Sequence, residues 1–585
     1  MNPRKFSRRT ALRGATMAGA AVALGSTPAR AANGGRRVAV LGGGMAGLTA
    51  AHELIERGFE VTVYESTALG GKARSIPMPG TGTMGRADLP GEHGFRFFPG
   101  FYHNVPDTMS RIPLPGNGKT VSDNLVSLNG ALISRSGGRS DIELALPTNP
   151  ATRPLDPDSL RDTIIGLVQE VVSLPPQEVA LFADRLLVFM TSSRERRENQ
   201  WENVAFWDFM RADGRSKEYQ VALVRFMTRG LVALKEKVAN TRTVGAMGEA
   251  FILAFLGQGT NGQSPARMLN GPTTEAWIDP WVHCLTGRGV RFEVGQTVRS
   301  LELSGGRISS AVVTGPTGTP TSVTADWFLC AVPVERARQL WSPAILGQAP
   351  ELAGMNELRT DWMNGVQFPL RETPPIKAGT QLFLDSPWEI TSVLDSTLWD
   401  RDIPAQYGDG AARDILSLDV SDWDTPGILY GKPARECTIE EVLAECWAQV
   451  CDALNDTGRS VLPDGIRHSS FLDPAIRESG AGLTNDTPLF VNTVGSYRYR
   501  PESATSIPNL FLAGDYVRTD INLATMEGAN ESGRQAVNAL LDAAGATEGR
   551  VPIQALYQPP ELEPLKRIDA ARYAAGQPNL FDLPG

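Results

Sequence analysis

The sequence predicts an α/β fold in which a Rossmann-like domain with a parallel β-sheet is assembled from discontinuous segments, beside a second, α+β domain. Three stretches carry the strand, glycine-turn and helix patterns of such a sheet: residues 36–100, 286–335 and 505–545. Strands that alternate with helices are typical of parallel sheets. The two intervening segments, 101–285 and 336–504, mix helical and strand-like periodicities and are expected to form a substrate-binding domain. Residues 546–585 are expected to form a proline-containing C-terminal arm.

The composition excludes several classes of protein. With 585 residues, 42% hydrophobic and 21% charged, the chain is long enough for two or three ordinary globular domains. The net charge of −9 argues against a nucleic-acid partner and gives no support for attraction to anionic lipid. Five scattered cysteines imply neither a disulfide framework nor a metal site.

Residues 1–31 have the organisation of an export signal. A basic head precedes an apolar run from Gly14 to Gly25, which is shorter than the roughly 20 residues needed to span a bilayer. Ala29-Arg30-Ala31 matches a cleavage site, and Ser7-Arg8-Arg9 resembles a twin-arginine signal. We therefore expect export of the folded protein to the periplasm, cell wall or medium. A disordered basic tail on a cytoplasmic protein is the alternative.

The first glycine turn has the spacing G-x-G-x-x-G and follows a buried-strand run, Val38–Leu41. Gly42 permits the tight turn, Gly44 lets the backbone approach a pyrophosphate, and Gly47 lets the next helix pack closely on the strand. That helix offers free N–H groups and the positive end of its dipole to phosphates. We therefore predict that a dinucleotide is bound by Gly42, Gly44, Met45, Ala46 and Gly47.

Glu65 ends the second strand-like run, about 20 residues after the turn. A carboxylate at this distance accepts hydrogen bonds from a ribose hydroxyl and disfavours the 2′-phosphate of NADP. These features predict a dinucleotide but do not separate FAD from NAD.

A second glycine motif, Gly70-Gly71-Lys72-Ala73-Arg74-Ser75, follows directly. It resembles that of the flavin amine oxidase and phytoene desaturase superfamily, in which many members have arginine at the position of Lys72. The resemblance implies non-covalent FAD, with Gly71, Lys72 and Arg74 beside its phosphates. Lysine can serve there as a point charge without bidentate geometry. A solvated basic turn is the alternative role of Lys72 and Arg74.

The far end of the chain resembles the second half of the same site. A buried-strand run ends in Gly514-Asp515, and the resemblance implies that Asp515 meets the ribitol or pyrophosphate region of FAD. A helix then opens with Met526, Gly528 and Ala529, its N-terminus directed at the pyrimidine edge of the flavin. Its dipole would stabilise negative charge on the reduced ring. Close helix packing is the alternative role of Gly528 and of Gly533.

A third matching segment lies between these two. Val298 occupies a position that gives backbone contacts to adenine in the relatives, and residues 326–333 resemble the strand that rejoins the nucleotide-binding sheet.

The aromatic loop from Gly91 to Tyr102 resembles that of plant-type carotene desaturases, and residues 526–533 match their C-terminal signature. The chain is therefore similar to the phytoene desaturase-like branch. This implies a dehydrogenase or desaturase that passes hydride from a large apolar polyene or isoprenoid to flavin N5. Oxygen or a quinone would be the final acceptor. Peripheral contact with a membrane and the oligomeric state are left open.

His93 and Glu92 are the candidate proton acceptors, and a structural or flavin-contacting role is the alternative for His93. Arg500 would either line the site or lie on the surface. Trp201 and Trp207 would form a lipophilic wall or pack in the core. The same two roles are open for the remaining aromatic residues: Phe95, Phe97, Phe98, Phe101, Tyr102, Phe206 and Phe209.

Three other functions are weighed against desaturation. Reductive or isomerising cyclisation of a polyene, of the polycyclic tetramate macrolactam type, would require a reductant such as NADPH, and export counts against it. An amine oxidase would have a smaller pocket and would react rapidly with oxygen. A lipid-binding flavoprotein would bind FAD without turnover. Desaturation predicts a wide apolar tunnel within residues 101–285.

Overall fold

The structure is a computed structural model that describes residues 35–582 apart from positions 117, 151, 153, 154, 378 and 481. The expected export signal, residues 1–31, lies outside the described residues.

Five parallel strands form the nucleotide-binding sheet. Their spatial order is Arg291–Val294, Glu60–Glu65, Arg37–Leu41, Trp327–Cys330 and Leu510–Leu512. Arg37–Leu41, Trp327–Cys330 and Leu510–Leu512 consist almost entirely of buried apolar residues, as expected where helices cover both faces of a parallel sheet. Because the strands come from three separated stretches, the predicted discontinuous assembly is confirmed.

Two helices pack together on this sheet, Met45–Glu56 after the first glycine turn and Met526–Ala543 near the C-terminus. A Cβ atom on Gly533 would lie 2.7 Å from the Ala46 carbonyl oxygen, so the close packing requires glycine. Asn530 Nδ2 also donates to Thr49 Oγ1 at 2.8 Å. Helix packing therefore accounts for Gly533.

A small antiparallel sheet consists of Thr297–Ser304, Arg307–Thr314 and Pro320–Val323. Asn509 joins this sheet to the last parallel strand, since its side chain accepts from the Ile308 amide and donates to the Ile308 carbonyl, both at 2.9 Å.

The rest of the described chain combines helices with a mixed sheet. Its principal helices are Leu160–Val171, Pro176–Met190, Arg194–Asn199, Thr241–Phe255, Asp279–Gly287 and Ile439–Leu454. Its seven strands lie in the order Phe471–Leu472, Asn364–Leu370, Asp414–Val420, Thr391–Leu394, Thr380–Phe383, Gly130–Ser134 and Ile142–Ala145. Tyr219–Gly230 is π-helical, a rare geometry that occurs mostly at functional sites and that the apolar periodicity does not predict.

Shorter elements complete the described part of the chain. The short helices include Asn104–Ser110, Phe206–Phe209, Val334–Ala337, Pro343–Gln348 and Ile403–Gln406. Short strands include Ser75–Pro77, Pro90–Glu92, Phe98–Pro99, Leu125–Ser127, Ala266–Leu269, Arg359–Asp361, Ile476–Ser479, Gly482–Asn485 and Leu489–Val491. The C-terminal arm contains the helix Glu563–Ala574, whose buried Asp569 pairs with buried Arg196 at 3.0 Å. None of the helices within the described ranges is both long and apolar enough to cross a membrane.

Candidate active site

A cavity of about 1580 Å³ begins at the carboxyl ends of the parallel strands and extends to the helices between residues 160 and 255. Pockets for one ligand are commonly about 300–1,000 Å³. The cavity therefore has room for a dinucleotide and a second ligand. The predicted cofactor residues that line it are Gly42, Gly44, Met45, Ala46, Glu65, Gly71, Lys72, Arg74, Val298, Gly514, Asp515, Met526 and Ala529.

The glycines of the first turn serve two different needs. Gly42 has φ +110°, and a Cβ there would lie 2.7 Å from the Ala331 carbonyl oxygen. Gly47 is off the cavity wall, and its Cβ would lie 1.9 Å from the Gly42 carbonyl oxygen. Both glycines are therefore required by the fold.

Gly44 differs, because it has ordinary φ −78° and its Cβ would meet only the Gly71 Cα, at 3.8 Å. Nothing in the protein's packing demands glycine at this position. The missing side chain leaves a cradle open to the cavity, which fits the close approach of a pyrophosphate.

The second glycine motif lies against the first. Gly70 N donates to the Gly43 carbonyl at 2.8 Å, and Gly71 is left-handed with φ +60°. Lys72 Nζ donates to the Pro488 carbonyl, and Arg74 Nη1 donates to the Gly71 carbonyl at 2.5 Å. These two basic residues are partly buried and held by the chain, so the turn is not a freely solvated one.

Glu335 is a wall residue that the sequence analysis missed. Its carboxylate is buried beside Lys72, with Oε1 at 3.5 Å from Nζ, and neither oxygen accepts a hydrogen bond from any described residue. An unsatisfied buried acceptor costs about 1–3 kcal/mol, so a hydroxyl donor on a ligand would fit here. Glu335 follows Pro333 in an ordinary short helix, which offers no signal from sequence.

Glu65 is oriented by backbone donors, since it accepts from the amides of Gly43 and Thr67 at 2.8 Å each. This places a fixed carboxylate in the cavity wall beside the first glycine turn, as a ribose-binding acid requires.

Arg500 neither lines the cavity nor lies on the surface, which corrects both expectations. Its guanidinium is fully buried and donates to the main-chain carbonyls of Asp515 and Tyr516 at 3.0 Å, and to that of Val517. Burial lowers the pKa of Arg500 to about 10. Arg500 thus clamps the chain that presents Asp515 to the cavity.

Replacing Arg500 by methionine is expected to lower the free energy of unfolding by about 3 kcal/mol or more, because two buried carbonyls and one partly buried carbonyl lose a donor. Arg498→Met removes an exposed neighbouring arginine and is the control. Denaturant unfolding of the FAD-loaded protein measures both. Equal stability of the two variants would contradict the clamp.

The helix Met526–Ala543 directs its N-terminus at the cavity. Thr525 accepts from Gly528 N at 3.1 Å as the N-cap, and Thr525, Met526 and Ala529 line the wall. Gly528 does not reach the wall; its Cβ would lie 2.6 Å from the Leu523 carbonyl oxygen, so packing requires it. The positive end of the helix dipole therefore faces the ligand.

His93 lines the cavity as half of a buried pair. Its Nδ1 lies 2.5 Å from Asp473 Oδ2, and Asp473 is held by Asn364 Nδ2 at 2.7 Å and by the Ala475 amide at 2.9 Å. Nε2 is buried and has no partner among the described residues. Burial lowers the pKa of His93, which favours the neutral imidazole.

Glu92, the other candidate proton acceptor, lies behind the wall. It accepts from Ser75 Oγ at 2.7 Å and from the Thr273 amide at 2.9 Å, and burial raises its pKa. These bonds join three segments of chain, so the contacts of Glu92 are structural.

The second half of the cavity is apolar. Phe95, Phe97, Phe101 and Tyr102 line it, together with side chains from the helices between residues 160 and 255. The other aromatic candidates lie off the wall: Phe98, Trp201, Phe206, Trp207 and Phe209. Trp201 packs edge-on against Phe209 at 4.9 Å and donates to Ser192 Oγ, so packing in the core accounts for it.

The comparisons with known proteins agree with this geometry. The zeta-carotene desaturase of Synechocystis sp. is 25% identical over 543 residues, which cover 86% of this chain and 97% of that protein. Carotenoid phi-ring synthase of Streptomyces griseus is 26% identical over 523 residues, covering 86% and 87%. The solved structure of wild-type putrescine oxidase bound to putrescine covers 87% of this chain and 98% of its own at 13% identity. Its TM-score of 0.55 shows a shared fold.

The profile of the family described as flavin containing amine oxidoreductase matches residues 45–541, from the first glycine turn to the end of the helix behind Asp515. Its cofactor is FAD, and the cradle at Gly44, the oriented Glu65 and the helix N-terminus at Thr525 fit that dinucleotide. The chain belongs to the flavin containing amine oxidoreductase family and is an FAD-dependent oxidoreductase.

Proposed function

We propose that this protein dehydrogenates a long apolar polyene or isoprenoid and introduces a carbon–carbon double bond. The observation that carries the proposal is the apolar half of the cavity, which continues from the nucleotide-binding residues into the helices between residues 160 and 255. An amine substrate would require polar or aromatic-cage contacts in place of this long apolar wall. The two carotenoid enzymes that match most of the chain also support a polyene.

Bound FAD supplies the two-electron acceptor, to which a substrate C–H passes as hydride. The protein holds the substrate in surroundings that exclude water and accepts a proton from the neighbouring carbon of the substrate. We assign that proton to His93 Nε2, the unpartnered nitrogen in the wall. Asp473 is the positioning residue, because its bond to Nδ1 keeps the proton there and leaves Nε2 free to accept.

Gly248→Phe is expected to block the tunnel while the fold and FAD are retained. Gly248 lines the cavity within the helix Thr241–Phe255, and the nearest atom to its Cβ is the flexible end of Met227, at 2.7 Å. Gly166→Phe is the control, since that helical glycine is off the wall and has open space around its Cβ position. Anaerobic flavin reduction by a long polyene should fall at least about tenfold only in Gly248→Phe. Equal rates of flavin reduction in both variants would contradict the assignment of this tunnel as the substrate site.

The proposed function is tested by mixing the FAD-loaded protein anaerobically with panels of acyclic polyenes and of amines. Bleaching of the visible flavin band by polyenes, with a product one double bond richer, is the expected result. Bleaching by amines alone would make it an amine oxidase. Polyene conversion only with NADPH would indicate reductive cyclisation, and no bleaching by any compound would leave a binding flavoprotein.

We also propose that the protein is exported by its twin-arginine-like segment and passes electrons to oxygen or a quinone. The basic head and short apolar run support export. A separate part of the proposal is that substrate enters the cavity from a lipid surface, which is supported by Phe255, an exposed residue of the apolar wall. Mutating Arg8 and Arg9 to lysine should retain the protein in the cytoplasm, and unchanged export would count against this route.

A further inference from the structure

Arg96 lies in a loop that connects the two halves of the cavity. The charge of Lys72, in the second glycine motif, acts on His93 at the start of this loop. Phe97 and Phe101 contact Phe251 of the apolar half, with ring centroids 6.4 and 5.1 Å apart. Tyr102, at the end of the loop, interacts with the Thr525 side chain at the helix N-terminus. Arg96 is therefore placed where the nucleotide half meets the apolar half.

The guanidinium of Arg96 has no partner within the described ranges of the chain. It lines the cavity, its Nε and Nη2 atoms are buried without an acceptor, and no ion pair within 4.0 Å involves it. Buried donors left unsatisfied cost about 1–3 kcal/mol each, and more when charged. A ligand in the cavity is thus expected to supply the missing acceptor.

The ionisable groups around Arg96 form no ion pair with it within 4.0 Å among the described residues. Burial raises the pKa of Asp419 to about 7 and also raises the pKa of Glu92, although the charge of Arg96 acts on both acids in the opposite direction. Burial lowers the pKa of His93, which favours its neutral form. Arg96 therefore presents to the cavity a guanidinium that has neither an acceptor for its buried Nε and Nη2 atoms nor an ion pair among the described residues.

We propose that Arg96 stabilises the negative charge that FAD acquires on reduction, and so raises the midpoint potential of the bound cofactor. A hydride brings two electrons and one proton, which leaves one negative charge on a ring that was neutral. Arg96 and the helix N-terminus at Thr525 then act together on that charge. The inference rests on the FAD site and not on the identity of the substrate.

The test compares Arg96→Gln with wild type, both loaded with FAD. Arg299→Gln is the control, because Arg299 is an exposed cation at the opposite, Val298 end of the same cavity. Sulfite, which adds to the flavin ring and leaves it anionic, should bind about tenfold more weakly to Arg96→Gln. The midpoint potential should fall by the equivalent of tenfold, about 30 mV for a two-electron couple. Unchanged sulfite affinity and potential in Arg96→Gln would overturn the proposal, as would an equal shift in Arg299→Gln.

Arg96→His provides a second route in case the neutral variant loses FAD. The charge of the introduced imidazole can then be titrated within one folded protein. The sulfite affinity of Arg96→His, relative to that of wild type, should fall as pH rises through the pKa of the introduced imidazole. A constant ratio of the two affinities across that pH range would contradict the proposed role of Arg96. Neither measurement uses substrate, so a failed polyene assay leaves this result independent.

Discussion

Gly44→Trp is expected to give a folded but colourless protein. Gly44 has an ordinary backbone conformation, and the space beyond its Cα belongs to the cavity. An indole there would occupy the place of the pyrophosphate and weaken FAD binding by at least about 10³-fold, or about 4 kcal/mol. Visible absorbance after incubation with excess FAD measures the loss, and far-ultraviolet circular dichroism checks the fold.

A matched pair of alanine variants separates ligand from fold. Gly44→Ala places a Cβ 3.8 Å from the nearest protein atom and should leave the stability of the FAD-free protein unchanged while weakening FAD binding. Gly47→Ala places its Cβ 1.9 Å from the Gly42 carbonyl oxygen and should destabilise the fold itself. A fully yellow Gly44→Trp protein would remove the basis for the phosphate assignment.

His93→Gln is expected to slow substrate-dependent flavin reduction by about 10²–10⁴-fold, the usual contribution of a positioned general base. FAD should stay bound, because the contact between His93 and Asp473 lies outside the glycine turns. Stopped-flow absorbance under anaerobic conditions measures the rate, and the flavin content of each variant is its control. Reduction at the wild-type rate would show that another group takes the proton.

The pH dependence follows from the charges around His93. Neutral Nε2 is the accepting form, so the rate should rise with pH through the pKa of His93 and then level off. Burial lowers this pKa, Asp473 raises it, and Arg96 and Lys72 lower it further. The acid limb should therefore lie below the ordinary histidine value of about 6.5.

Asp473→Asn removes the negative charge that raises the pKa of His93. The acid limb of the pH–rate profile should therefore move to lower pH, and the plateau rate should fall. Asp419→Asn is the accompanying control, since Asp419 titrates in the same wall. If the acid limb of the pH–rate profile moves in Asp419→Asn and stays fixed in Asp473→Asn, the titrating group is Asp419 and not the His93–Asp473 pair.

The nucleotide-binding half of the molecule was predictable because its physics is local. A glycine turn between a buried strand and a helix limits what can bind there. Glu65 ends one strand of the sheet, and Asp515 follows closely after the end of another, Leu510–Leu512. The carboxyl ends of parallel strands meet at one edge, so residues from both ends of the chain converge without any long-range information beyond strand order.

The catalytic wall was only partly predictable. His93 was found as a polar residue in an aromatic loop, but its partner Asp473 lies 380 residues further along the chain, and no local pattern marks it. The same holds for Arg500, whose acceptors are backbone carbonyls, and for Glu335, which follows an ordinary proline turn. Trp201 and Trp207 were ambiguous because aromatic residues pack equally well in a core and in a tunnel.

The most direct test of the account is the flavin content of the purified protein. After saturation with FAD and removal of the excess, acid precipitation should release one FAD per chain into the supernatant and leave a colourless pellet, in wild type but not in Gly44→Trp. A wild-type protein that retains no flavin, or a Gly44→Trp protein that releases the same amount, would contradict the claim that the two ends of this chain bind one dinucleotide together.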